Sequence, residues 1–156
     1  MNLDRSPSGL LRALCRFPIL IYRARLGWLL GGRFLMLTHI GRKSGLRRYV
    51  VLEVVKHEPG QWFVAAAYGE HADWFRNVRA HPEVVVDHRG HRTPAIAQVL
   101  PVEEGAEVLA DYARRHPRAA RQLGRLMDVP FDPAGDPVAT AQKIPIVRLT
   151  AAESVS

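Results

Sequence analysis

Residues 33–57 read RFLMLTHIGRKSGLRRYVVLEVVKH. "RFLMLTHI" and "RRYVVLEVVKH" are both rich in β-branched, aromatic and long aliphatic side chains. Between them lies "GRKSG", whose two glycines allow a sharp reversal. Two such runs joined by a glycine-containing turn predict a β-hairpin. The turn and its exit hold Arg42, Lys43, Arg47 and Arg48 with no acid among them. A charge run of this kind is often a solvated face. The same composition also suits an anion: Gly41 and Gly45 can expose backbone N–H groups as a nest, Ser44 adds a hydroxyl, and Arg48 can reach back from the next strand. Spacing alone leaves both readings standing.

Outward from the hairpin, Glu58-Pro59-Gly60 marks a turn and "QWFVAAAY" a third strand. "HADWFRNVRAHP" predicts a short helix with Asp73 capping its start and Pro82 beyond its end. "EVVVDH" and "RTPAIAQVL" flank "RGH" as a second hairpin. "PVEEGAEVLADYARRHP" is the clearest helix, with acids early and arginines late to match the helix dipole. "RAARQLGRLM" extends that helical region, "FDPAGDP" is a loop, and "IPIVRLT" is the last strand. Strands without βαβ alternation predict an α+β fold: about six mainly antiparallel strands in a barrel, with peripheral helices.

The N-terminal segment, residues 1–32, has a different texture. Gly9–Tyr22 places Leu10, Leu14, Phe17 and Ile21 on one helical stripe and Arg12, Arg16 and Arg23 nearly opposite. Pro18 should kink it. Such a helix either covers a barrel or lies on an anionic membrane surface through residues 9–30. No run approaches the ~18 apolar residues of a membrane span, and arginines interrupt every candidate signal-peptide core.

The chain has 156 residues, a net charge of +7, 47% hydrophobic residues and one cysteine. That suffices for one domain with a real core and excludes an internal disulfide or a thiolate zinc cluster. The lone Cys15 suits a reducing cytoplasm. The positive balance calls for an anionic partner. The turn is not a Walker loop, because Arg42 separates Gly41 from Lys43 and a strand follows. No helix-turn-helix, zinc finger or RNA-binding aromatic signature supports nucleic acid. His88 and His91 flank a turn, but no carboxylate–histidine pattern makes a metal site of them.

"LTHIGRKSGLRR", "WFVAAAYG" and "ADWFRNVRAHPEVVV", in that order, resemble the deazaflavin-dependent nitroreductase family of the flavin/deazaflavin oxidoreductases. The similarity runs from about Phe34 to Asp87 and weakens through "DYARRHP" to the final strand. It implies a split β-barrel over 33–150, with 151–156 as a tail, and coenzyme F420 as cofactor. The phospholactyl–oligoglutamate tail of F420 is strongly anionic. By this resemblance Arg42, Lys43, Ser44, Gly45 and Arg48 would grip it. Val50, Val51, Ala65, Ala66 and Ala67 would line the ring, and Trp74 and Asn77, three apart on one helical face, would close the site. Many relatives have proline where this chain has Arg47.

Without that family, Trp74 reads as a core anchor and Asn77 as a backbone tie. His39 and Tyr68 are candidate proton donors on position alone, Tyr68 the preferred one. The resemblance implies an F420H2-dependent oxidoreductase passing a hydride to an electron-poor small molecule: a quinone, an enone or a nitroaromatic. It would be cytoplasmic or peripheral on the inner face of the cell membrane. The alternatives are an FMN- or FAD-dependent oxidoreductase of the same fold, and a non-catalytic cofactor-binding or membrane-docking module.

Overall fold

The structure, a computed structural model, describes residues 33–66, 71–121 and 137–152. Six strands are present: β1 (Phe34–Ile40), β2 (Arg47–Glu58), β3 (Gln61–Ala65), β4 (Glu83–His88), β5 (His91–Val99) and β6 (Ile146–Ala151). Helices α1 (Asp73–Ala80), α2 (Val102–Arg115) and α3 (Pro137–Lys143) accompany them. The strands close into a barrel in the order β1-β2-β3-β6-β5-β4, and every adjacent pair is antiparallel. This is the architecture the alternating runs imply.

Period-two alternation sorts the side chains into two cores. Leu35, Leu37, Leu52, Trp62, Val64, Val84, Val86, Ala95, Ala97, Val147 and Leu149 fill the barrel. Trp74, Phe75 and Val78 of α1 join the same core, so this helix plugs one barrel end. The second core lies outside, where Val55, Phe63 and Ile146 meet Ala106, Leu109 and Tyr112 of α2. A register shift between Val54 and Lys56 makes both cores possible on one strand. Val54 packs against the interior core and Val55 enters the outer one. A bulge of this kind turns an extra residue to the other face.

Several local expectations change. Ala72, not Asp73, holds the α1 cap position, and no side chain caps it. Asp73 lies in the first turn and pairs with Arg42 instead. The third strand stops at Ala65, where the Ala66 N–H turns to the carbonyl of Pro145 at 2.8 Å. Helix α3 was not anticipated beside the "FDPAGDP" loop. The N-terminal amphipathic helix, Ala67, Tyr68, all of 122–136 and residues 153–156 of the tail fall outside the described residues, and Ala151 belongs to the last strand. Among the described residues no helix is long and apolar enough to cross a membrane.

Candidate functional site

The β1–β2 turn is tightly tied. The Gly41 N–H donates to the Leu46 carbonyl at 2.8 Å, and the Gly45 N–H donates to the Gly41 carbonyl at 2.9 Å. The Ser44 hydroxyl accepts from the Leu46 N–H at 3.2 Å. Gly45 has φ +68°, the left-handed region that favours glycine. A Cβ at Gly41 would stand 2.5 Å from Ser44 Oγ, so the close approach also requires glycine there. Lys43, Ser44, Arg47 and Arg48 are exposed on this turn.

Arg42 behaves differently from its neighbours. Its backbone N–H and Nη1 both donate to Asn77 Oδ1, at 3.1 and 2.9 Å. Its Nη2 reaches Asp73 at 3.5 Å. These contacts latch the turn to α1. Because Oδ1 takes two donors, the Asn77 amide presents Nδ2 to His39 Nδ1, 3.1 Å away. His39 therefore accepts at Nδ1 and, when neutral, carries its proton on Nε2. Burial, then the neighbouring Arg48, lowers the His39 pKa from 6.5 to about 4, against a smaller opposing pull from Asp73.

The other expected site residues divide by face. Val50 leans on the barrel core, whereas Val51, its neighbour along the strand, faces outward and is half-buried. Ala65 packs with the outer core. Ala66 is fully buried and Trp74 nearly so, both inside the barrel, with Trp74 edge-on to Phe75 at 6.1 Å. Asn77 is buried in the latch. Lys43, Arg47 and Arg48 are exposed on the turn and at the start of β2, and Val51 lies farther along the same strand. The structure gives Ala66 and Trp74 packing roles. The His88 and His91 pair closes the β4–β5 hairpin, and His88 Nδ1 accepts the Trp62 indole N–H at 3.1 Å. Among the described residues no three side chains are grouped to hold a metal.

Sequence reasoning missed a groove of about 970 Å³ between the far half of β2 and the C-terminal end of α2. Arg33, Lys56, Arg89, Arg115 and Arg118 line it, with Glu53 as its one acid among the described residues. Glu53 accepts the Tyr112 hydroxyl at 2.6 Å and Arg33 Nε at 3.3 Å. Burial and that carboxylate together push the Tyr112 pKa well above its usual value. A visible hint was the "RG" turn at 89–90. Its proximity to residues 115–118 is tertiary and has no local signal.

A family model described as F420H(2)-dependent quinone reductase matches residues 20–130. An F420-H2 dependent reductase, FDR-A, shares 26% identity over 75% of this chain and 93% of its own, with a TM-score of 0.54. Two further structures share the fold. HutZ, the heme storage protein from Vibrio cholerae, has 15% identity over 86% of this chain and 92% of its own, TM-score 0.55. General stress protein 26 from Bacillus anthracis has 11% identity over 81% and 84%, TM-score 0.51. No curated protein matches. The chain belongs to the F420H2-dependent quinone reductase family.

Proposed function

We infer that the protein is an F420H2-dependent reductase of quinone-type acceptors, with the cofactor's anionic tail on the β1–β2 turn and its ring along the outward face of β2. The observation that carries this is the set Lys43, Arg47 and Arg48: three exposed cations with no carboxylate partner among the described residues. Their charge fits a phosphate followed by several carboxylates better than a single phosphate. Ser44 sits among them, although its hydroxyl oxygen already accepts a backbone bond. In this reading Arg42 serves chiefly the turn, since Asn77 and Asp73 take two of its five side-chain N–H groups. Val51 offers an apolar seat from which the ring would reach the groove.

When bound, the reduced deazaflavin supplies a hydride. The chain's part is to neutralise the tail, orient the ring and keep the turn rigid. Residues 9–30 would dock the enzyme at an anionic membrane surface, a reading that rests on their sequence pattern; co-sedimentation with anionic liposomes tests it. Nitro-compound reduction has the sequence resemblance alone as its support. The test of the cofactor is fluorescence titration with F420, FMN and FAD at low and high salt. F420 should bind most tightly, and salt should weaken it, because exposed charges are screened beyond ~8–10 Å at physiological ionic strength. Equal or tighter binding of FMN overturns the reading.

A further inference from the structure

The outward face of β2 does not end at Val51. Glu53, two residues on and ~7 Å along the strand, lies on the same face and opens the groove. A ring seated at Val51 would therefore border the groove directly. We propose that this groove is the seat of the electron acceptor and that it selects acceptors carrying an anionic group such as a sulfonate, carboxylate or phosphate. The proposal rests on the reductase reading above.

Charge balance decides the selectivity. Arg33 is engaged by Glu53 at 3.3 Å, Lys56 by Glu58 at 3.2 Å and Arg115 by Asp111 at 2.9 Å. Arg89 and Arg118 have no carboxylate partner among the described residues, so the groove keeps uncompensated positive charge.

The backbone at Arg89 points the same way. Arg89 and Gly90 form a two-residue hairpin loop closed by His88 opposite His91, with φ +52° and +81°. Such loops favour asparagine or glycine at the first position. A bulky residue held in the left-handed region is strained, and here that residue brings a guanidinium to the groove. Tyr112, bonded to Glu53, lines the groove together with Val54, Val55 and Pro117, which places apolar groups beside the charge. That combination suits a flat quinone with an acidic substituent. On reduction the acceptor gains a hydride and takes one proton from solvent, while the deazaflavin returns one proton to solvent. Two electrons and two protons thus pass to the hydroquinone.

The test compares a naphthoquinone sulfonate with the uncharged methylnaphthoquinone menadione by calorimetric titration of the cofactor-free full chain. It is repeated on Arg89→Asn/Arg118→Gln. Asparagine suits the turn, so the variant should melt no lower than the parent. The parent should bind the sulfonate about tenfold more tightly than menadione, ~1.4 kcal/mol, and the variant should bring that ratio close to one. Arg118→Gln alone gives a partial loss if the double variant proves unstable. A ratio near one in the parent, or a preference that survives in the variant, overturns the proposal. Turnover with F420H2 separates it from the reading beneath it. Reduction of both quinones at equal KM would overturn the proposal alone. Sulfonate binding with reduction of neither quinone would contradict the reductase reading and the proposal together.

Discussion

At the scale of single residues, Arg42 and Lys43 are sequence neighbours in different surroundings. Lys43 is exposed with no carboxylate partner among the described residues, whereas Arg42 holds Asn77 and Asp73. Lys43→Ala should weaken F420 binding about tenfold, ~1.4 kcal/mol, without moving the melting temperature. Arg42→Ala should lower stability by ~1–3 kcal/mol, because it strips the buried Asn77 carbonyl of a charged donor. Paired melts and titrations check both; interchangeable effects of the two would refute the latch. His39 adds a pH dependence. Its folded pKa is about 4, below the unfolded 6.5. Between these values the unfolded chain binds more protons, so stability rises with pH through that window and is lost as pH falls from 7 to 4. The ceiling is on the order of 3–4 kcal/mol. Melts across that range should show the decline, and His39→Gln should flatten it.

At the scale of elements, α1 is a plug more than a wall. Trp74, Phe75 and Val78 enter the barrel core, while Asn77 and Asp73 hold the turn. Trp74→Ala should therefore destabilise the fold by ~3–5 kcal/mol. Its loss of F420 affinity should follow from displacement of the plug. Thermal unfolding beside titration measures this, and a normal melt with lost binding would instead place Trp74 against the cofactor. The strands were legible because apolar residues alternate along them and glycine–proline turns bound them. The double allegiance of β2 was not, since a bulge at Val54–Lys56 leaves no mark in a run of valines. Asp73 was misjudged as a cap because its true partner, Arg42, lies 31 residues earlier. Helix α3 has 7 residues and no charge pattern beyond Lys143, too little periodicity to announce itself.

At the scale of the whole molecule, β2 links two basic regions. Its first residues carry Arg47 and Arg48 beside the turn, and its last line the basic groove. The turn was legible because its cations and glycines are contiguous. The groove was not, because Arg33 ahead of β1, the far half of β2, the β4–β5 loop, α2 and the residues just after it each contribute to it. One extended strand joins turn and groove, and the proposed order of tail, ring and acceptor follows its length. The most direct test of this account is to mix F420H2 with a quinone, with and without the full-length protein. The return of the oxidised deazaflavin's visible absorbance is then followed. Rapid, saturable oxidation that requires the protein and slows as salt rises is expected. Oxidation no faster than in the protein-free mixture, under conditions where F420 is shown to be bound, would contradict it.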